Sequence, residues 1–442
     1  MKNKYYIFLS VLFLSFSTNV FSQEKGDELT FDDIQEIPLI VNEGDYIDII
    51  RSSLFEQPEF RYATALSSEQ EFNLKYARRG RFGTISGNVI NDESFDRNIT
   101  DNQSVRKRRD DSFDATVEFR QPVYTGGQIN AAIQAARNKA FNLSKEKQNT
   151  ISKLILDANR KYLDAVSNSF LYSYSQSILD ILKPYKDRVG DRISSGIMDP
   201  IDAAIFNVRY NRIETLVYQL KSLAEKSNNN FYFFFKLDYE NLGFPKILIS
   251  KGSINKNKNS YEVDSAKFTY EEKKAGIKTA RSEYLPKFGV SARYTKYDID
   301  DDTNEDDVRG GLYFSMPIFS FGRGIAKINS AKAAAEASKN AINVSEKDDS
   351  VSESSLESEF ENAISNRPIF LQSFNETVNQ RKTIEDRLEL SGFAANAFAE
   401  VVLNEITQLK TLLDNETQIL DGYFSLLHQN QQLNNKFRID LN

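Results

Sequence analysis

The stretch QPVYTGGQINAAIQAARNKA, residues 121–140, combines two secondary-structure patterns. Hydrophobic and polar residues alternate up to Pro122, as in a β-strand, and an alanine-rich helical run follows Gly127. A second stretch, MPIFSFGRGIAKINSAKAAA at residues 316–335, aligns with the first without a gap. The aligned pairs are Pro122 with Pro317, Tyr124 with Phe319, Gly127 with Gly322, Ala131 with Ala326, Ala136 with Ala331 and Ala140 with Ala335. The chain therefore makes the same strand-to-helix switch twice, about 195 residues apart.

Composition limits the classes of function. Of 442 residues, 27% are charged and 40% hydrophobic, which is typical of neither a disordered chain nor a helical membrane protein. The net charge of -7 argues against nucleic-acid binding, and the basic run at 106–111 is short and contains its own acids. With one His and no Cys, we expect no disulfide, metal site or cofactor. No His, Ser or Lys constellation predicts an enzyme.

The N-terminus has the pattern of a secretory signal peptide, predicted at residues 1–22. Lys2 and Lys4 precede an apolar run at 7–16, and Ser22 is a small residue before the expected cleavage point. The alternative, a membrane anchor, is disfavoured because the run is shorter than the ~20 residues that a helical span needs. No other segment is long and apolar enough for such a span, so any membrane crossing would use strands.

Two predicted β-hairpins, at residues 81–123 and 286–319, precede the switches. Their strands alternate; for example, Val117 and Phe119 oppose Glu118 and Arg120. A soluble, half-buried hairpin gives the same pattern, and periodicity alone favours it. A membrane barrel also fits, because its strands need ~9–11 residues with polar side chains facing a wet lumen. Aromatic residues near the strand ends would then form an interfacial girdle: Phe113, Tyr124, Tyr294, Tyr297 and Phe319. Four strands cannot close a barrel, so several chains would share one.

Each switch leads into a predicted helical hairpin, at residues 128–235 and 325–437. Apolar residues keep a three-four spacing, which is the pattern of a coiled-coil seam, and Pro368 predicts a kink. The spacing breaks at 194–200 and again at 390–398, which predicts two hairpin tips. A glycine at each break is positioned to end the first helix of its hairpin.

This layout resembles the TolC family of bacterial outer-membrane efflux and secretion channels. Beside the twin switches, the resemblance is carried by EQPEF at 56–60, ARSEYLPKFGVSARY at 280–294 and SGIMDPIDAAIFNVRYN at 195–211. It implies a mainly α-helical chain that contributes four strands to a shared twelve-stranded membrane β-barrel. It divides the chain into signal peptide 1–22, periplasmic N-terminal segment 23–56, first repeat 57–235, connector 236–260, second repeat 261–437 and tail 438–442.

The resemblance also implies a location and partners. Three copies would form a homotrimer in the outer-membrane lipid, and their helices would continue the barrel as a periplasmic tunnel. The tunnel would meet a periplasmic membrane-fusion adaptor and an inner-membrane transporter, and would passively conduct what that transporter exports. The alternative is a periplasmic coiled-coil adaptor or scaffold without a barrel. The duplicated switch and the lack of a lipoyl-like β module count against it.

Residues at the tips are candidates for a periplasmic entrance. Asp202 matches an acidic position of the family's entrance, although a carboxylate at a helix start is an equal interpretation. The second tip departs from the family, because its Arg and paired Asp are missing. The resemblance therefore leaves a hydrophobic constriction at Phe393 or Phe398 as the alternative, with Glu400 as a nearby acid.

The remaining candidates are contact and structural residues. The proposed adaptor contacts at the tips are Gly196, Ile197, Gly392 and Phe393, and the two glycines are equally well explained as helix caps. The residues of the strand-to-helix switches are predicted to be structural: Pro122, Gly126, Gly127, Pro317 and Gly322. The acidic run at 298–307 fits a calcium site or a solvated extracellular loop, and His428 is expected on the surface or in a groove.

Overall fold

The computed structural model describes residues 28–29, 40–93, 111–196, 198–238, 242–249, 252, 254–256, 259–299, 305–391 and 395–439. The predicted signal peptide and three of the tip candidates, Ile197, Gly392 and Phe393, lie outside these residues. The elements in chain order are β1 (Glu28–Leu29), β2 (Ile40–Asn42), α1 (Glu43–Leu54), α2 (Pro58–Arg79), β3 (Thr84–Glu93), β4 (Asp111–Tyr124), α3 (Gln128–Ser194), α4 (Pro200–Phe235), β5 (Phe244–Leu248), α5 (Tyr261–Ser282), β6 (Lys287–Lys296), β7 (Asp306–Ser315), α6 (Arg323–Ser391), α7 (Ala395–Gln429) and α8 (Leu433–Lys436).

The two hairpins form one antiparallel sheet with the strand order β3-β4-β6-β7. Because β4 pairs with β6, the first and second repeats join within the sheet, and β3 and β7 remain as its edges in the described chain. Proline lacks an N–H and the alternation of the sequence stops at Pro122, which predicts that strand pairing ends there, but the structure shows that it does not. Pro122 lies opposite Gly289, and β4 continues through a register shift to Tyr124.

The faces of this sheet differ in polarity. Glu118 lies opposite Arg293, which lies opposite Arg309, so charged residues form a row across three strands. The alternate positions are apolar and exposed, with Ile85 at 76% and Leu312 at 86%. The predicted alternation is therefore confirmed, and both faces are open in the isolated chain.

Two very long helices form the body of the molecule. The 67 residues of α3 pack against α2, α4, α5 and α7, and the 69 residues of α6 pack against α5 and α7. Each long helix continues through an internal proline, Pro184 in α3 and Pro368 in α6. Among the described residues, no helix contains an apolar stretch long enough to cross a membrane.

The predicted connector contributes to the core. Its strand β5 pairs with both β1 and β2 in a small second sheet beside the middle of the helices. There Tyr46 and Tyr162 make an edge-to-face contact with ring centroids 5.0 Å apart, and the Tyr162 hydroxyl donates to the carbonyl of Gly243 at 2.9 Å. Phe231 and Phe437 complete this aromatic core, which fixes the helices at mid-length.

Candidate entrance site at the helical tips

The first tip has the geometry of a glycine-capped helix end followed by a capped helix start. Gly196 has φ +69°, and its N–H donates to the carbonyl of Ile193 at 3.0 Å. The carboxylate of Asp199 accepts from the N–H of Ile201 at 2.8 Å, and Pro200 is the first residue of α4. Since glycine adopts positive φ without strain and Asp is a preferred N-cap, the local sequence determines this turn.

Asp202 contacts the second hairpin through its backbone. The side-chain amide of Asn396, at the start of α7, donates to the carbonyl of Asp202 at 3.1 Å. The Asp202 side chain is half-buried in the first turn of α4, where a carboxylate interacts favourably with the helix dipole. The contact between the tips therefore does not require the carboxylate.

Arg209 makes the charged contact between the tips. Its Nη1 donates to the carbonyl of Asn396 at 2.8 Å, and its Nε lies 3.1 Å from a carboxylate oxygen of Glu400. We call Asp202, Arg209, Asn396 and Glu400 the tip cluster. Asp202 and Glu400 were predicted from the sequence, whereas Arg209 and Asn396 were not. Arg209 lies in the quoted NVRYN stretch, but nothing local predicts that it reaches α7.

Phe398 does not line a surface, which corrects its interpretation as a pore constriction. The ring is fully buried and packs edge-to-face on Tyr185 of α3, with centroids 5.2 Å apart. Its helix turns this position toward α3, and therefore the ring contributes to hairpin packing.

An apolar groove lies beside the tip cluster, between α4 and α7. It encloses about 700 Å³ and is lined by Ile201, Ile205, Val208 and Leu403 among others. Ile201 and Val208 are each 69% exposed, one heptad apart on α4. A large apolar side chain in such a position on a tip is a candidate for contact with another protein.

A buried ionic group lies further from the tips. Arg381 of α6 donates through Nε to Glu405 of α7 at 2.8 Å, and the hydroxyl of Tyr174 on α3 donates to the same carboxylate at 2.5 Å. Glu405 is fully buried. Burial lowers the pKa of Arg381, but the neighbouring Glu405 carboxylate raises it by more, so the net effect is a raised pKa. This group joins three helices of both hairpins.

His428 is covered by neighbouring helices. Its Nδ1 lies 2.7 Å from the hydroxyl of Ser152 on α3, and its ring packs 5.7 Å from that of Tyr261 on α5. Burial lowers the pKa of His428 to about 4. The side chain is therefore neutral at pH 7 and serves packing between helices.

The switch residues have unusual backbone conformations. Gly126, Gly127 and Gly322 all have positive φ, between +62° and +82°. A Cβ at position 126 would lie 2.6 Å from the Cβ of Leu285, so a side chain does not fit there. The equivalent position in the second repeat is Phe321, which also has positive φ, +48°. The structural roles of Gly126, Gly127 and Gly322 remain predictions, which substitution by alanine would test.

Paired helical hairpins that extend from an antiparallel, two-faced sheet define the fold of the TolC family of outer-membrane channels. This chain has that fold, as the sequence resemblance predicted. In particular, it is similar to the CmeC outer membrane channel of Campylobacter jejuni, with a TM-score of 0.70 and 10% identity over 88% of this chain and 86% of that chain.

Two further solved structures extend the comparison. The outer-membrane channel OprN gives a TM-score of 0.71 at 12% identity, over 88% of this chain and 92% of that one. VceC, an outer membrane protein from Vibrio cholerae, gives a TM-score of 0.68 at 14% identity, over 89% of this chain and 96% of that chain. No family model and no curated protein matches the sequence.

Proposed function

We propose that this chain is the outer-membrane exit duct of a tripartite efflux or type I secretion system. One observation carries the proposal: a sheet with one polar and one apolar face passes directly, at two equivalent switches, into helices about 100 Å long. A wall of this kind suits a duct that crosses a membrane and then a wide aqueous space. CmeC, OprN and MtrE, which are similar in fold, are described as outer membrane channels.

The duct is proposed to be a homotrimer. Three copies of the four-stranded sheet give twelve strands, with β3 of one copy paired to β7 of the next. Closure removes the open edges, which lipid cannot satisfy with hydrogen bonds. The row of Glu118, Arg293 and Arg309 would then face water inside, and the exposed apolar positions would face the hydrocarbon of the outer-membrane lipid.

The tips are proposed to meet a periplasmic adaptor, which links the duct to an inner-membrane transporter. The apolar groove beside Ile201 and Val208 provides a contact surface at the start of α4. The residues predicted from the sequence as adaptor contacts are Gly196, Ile197, Gly392 and Phe393. The inner-membrane transporter would supply the energy, and this chain would conduct passively.

The tip cluster is proposed to hold the periplasmic entrance closed at rest. It joins α4 of the first hairpin to α7 of the second by two hydrogen bonds and one ion pair. Separation of the hairpins would break all three contacts. Phe393 remains a candidate for a hydrophobic constriction, together with Asp202 and Glu400 as entrance acids.

Two measurements on the purified full chain test this function. The mass in detergent should correspond to three chains of about 50 kDa each, slightly less after signal removal. The same particle should form ion-conducting pores in a planar lipid bilayer. A stable monomer that is extracted without detergent would exclude the duct and favour the alternative, a soluble periplasmic adaptor or scaffold.

A further inference from the structure

The polar face of the four-stranded sheet carries its charges in layers that follow the register of the strands. Arg293 and Arg309 lie directly opposite each other on β6 and β7, and Arg120 lies on β4 one layer closer to the helices. Asp307 lies one layer closer to the loops, and Asp114 lies one layer beyond Asp307. The three arginines are therefore on the helix side of this face, and these two acids are on its loop side.

Neighbouring carboxylates do not neutralise the three arginines. Nε of Arg120 lies 2.8 Å from a carboxylate oxygen of Glu118, and Nε of Arg309 pairs with Asp307. Arg293 lies opposite Glu118 but forms no ion pair within the described part of the chain. The side chains of Arg120 and Arg309 are 64% and 65% exposed, against 27% and 31% for their acidic partners. The guanidinium groups are therefore more accessible than the carboxylates, and one positive charge per chain is left unbalanced at this level.

The opposed arginines are unfavourable for the sheet itself. Like charges at directly opposite positions destabilise a pair of strands, and Arg293 and Arg309 form such a pair. Arg293 lies on β6, which β4 and β7 of the same chain flank, so its exposure does not depend on the edges of the sheet. The edge strand β3 of the next copy would add only uncharged Thr84, Ser86 and Asn88 from the first half of its polar face. A local choice that opposes folding indicates a functional constraint.

We propose that Arg120, Arg293 and Arg309 of the three copies form a basic belt on the inner wall of the duct, which concentrates anionic solutes and gives the duct a preference for anionic cargo. This inference rests on the proposed function, because only a closed barrel brings the arginines of three copies around one lumen. Rings of arginine in a pore attract anions, and the low-dielectric wall focuses their field. The guanidinium group favours solutes with carboxylate, sulfate or phosphate groups, to which it donates two parallel hydrogen bonds.

The basic belt acts separately from the acids of the proposed entrance. Asp202 and Glu400 lie at the tips, at the opposite end of helices about 100 Å long. Salt screens the interaction of exposed charges over about 10 Å at 0.1 M ionic strength. A substitution in the basic belt therefore changes the attraction of anions there and leaves the electrostatics of the entrance unchanged.

The charge selectivity of single pores tests the basic belt. The purified full chain is reconstituted in a planar bilayer, and the reversal potential is measured at low salt under a KCl gradient. Arg293→Gln with Arg309→Gln should lower the chloride-to-potassium permeability ratio at least twofold. Lys296→Gln is the matched control, because it removes a positive charge from the opposite face of β6, and the ratio should stay unchanged. Arg293→Lys keeps the charge and should keep the ratio.

The outcomes separate this inference from the proposed function. Pores with the same permeability ratio in the wild type and in the double glutamine variant would overturn the basic belt and leave the duct intact. Absence of pores from the wild type would overturn the duct, and the basic belt with it.

A thiol placed in the basic belt provides a second test that keeps all three arginines. Ser291→Cys lies opposite Arg120 and introduces a single thiol per chain, because the chain has no native Cys. Its reaction rates with an anionic and a cationic methanethiosulfonate reagent are each divided by the rate with free cysteine. At low salt the relative rate of the anionic reagent should be at least threefold higher, and high salt should remove the difference.

The thiol test remains decisive even where the glutamine variants do not assemble. Equal relative rates at low salt, or a faster cationic reagent, would overturn the basic belt. Absence of any reaction in pores that conduct would also overturn it, because this face of the sheet would then not line the water-filled lumen.

Discussion

Arg209 and Glu400 belong to different helical hairpins, yet Nε of Arg209 lies 3.1 Å from the Glu400 carboxylate. The same guanidinium donates to the carbonyl of Asn396 at 2.8 Å. Both side chains are partly exposed, so the ion pair alone contributes little stability. The position of the ion pair is what matters for the proposed entrance, because the pair joins the two helical hairpins there.

Removal of Arg209 should open the proposed entrance. In Arg209→Ala two of the three polar contacts of the tip cluster are lost, so the hairpins separate more easily at this end. We expect single-channel conductance in planar bilayers to rise severalfold. Asp202→Ala is the matched control, because its contact uses the backbone carbonyl, and its conductance should change only slightly. A wide-open pore in Asp202→Ala with a closed one in Arg209→Ala would contradict the role of the tip cluster.

Loss of Glu405 should destabilise the helical body strongly. Glu405→Ala leaves the buried guanidinium of Arg381 with only the half-buried Glu385 as a carboxylate partner, which should cost up to about 3–5 kcal/mol. Lys153→Ala is the comparison: it removes an ion pair with Glu262 in which both side chains are at least half exposed, and it should cost at most about 1 kcal/mol. Thermal unfolding in detergent measures the loss of stability in each of the two variants. Equal losses in the two variants would show that burial does not govern the Arg381 pair.

His428 should make stability depend on pH in the mildly acidic range. Its folded-state pKa of about 4 lies below the ordinary value of 6.5, so the unfolded chain takes up a proton first as the pH falls. The contribution of His428 to the free energy of unfolding is nearly complete above about pH 7.5. It is lost progressively as the pH falls through 6.5 toward 4, by about 1.5 kcal/mol between pH 6.5 and 5.

The variant His428→Gln isolates this contribution, because other groups also titrate. Glutamine keeps a hydrogen-bonding group near Ser152 but does not titrate. The difference in unfolding temperature between pH 7 and pH 5 should be smaller in the variant than in the wild type. Identical pH profiles would contradict a buried, neutral histidine.

The two glycines of the first switch should respond differently to alanine. Gly127→Ala places a Cβ in open space and should cost only the backbone strain of about 1–2 kcal/mol. Gly126→Ala adds an overlap with Leu285 and with the carbonyl of Ser282, and should cost about 1–3 kcal/mol more. Unfolding temperatures in detergent would rank the variants, and the reverse order would contradict the described packing.

Engineered cysteines should link the edge strands of different copies. The chain has no native Cys, so Ser86→Cys on β3 can be combined in turn with Asp307→Cys, Arg309→Cys or Gly311→Cys on β7. At least one pair should give covalent dimers and trimers on a denaturing gel. Thr116→Cys with Thr295→Cys is the control, because these positions face each other within one chain. Monomers alone in all three pairs would contradict the shared barrel.

The fold could be predicted from sequence to a large extent because its periodicities are long and repeated. The alternation at Val117, Glu118 and Phe119 and the uninterrupted helical run after Gly127 each determine one kind of element. Duplication supplied a second, independent copy of each pattern. The extent of β4 was not predictable, because the strand continues past Pro122 through a register shift that depends on its partner β6.

The candidate site was predictable only in part. Asp199 and Gly196 act through their own helix ends, so their roles follow from neighbouring residues. Asn396 and Arg209 act across the gap between hairpins, at residues 187 positions apart, and no local pattern pairs them. Phe398 was misjudged because sequence does not reveal which face of α7 packs on α3.

The sequence by itself determined where strands change into helices, since Gly126 and Gly127 permit the positive φ of the turn and an uninterrupted helical pattern follows them. It also determined the caps of the first tip and the two faces of the strands. Only the tertiary structure decided which side chains meet: Arg209 with Glu400, Arg381 with Glu405, and Phe398 with Tyr185. The physical reason is the distance along the chain over which each effect acts. Backbone preferences depend on a few neighbouring residues, whereas these contacts depend on how whole helices pack and align.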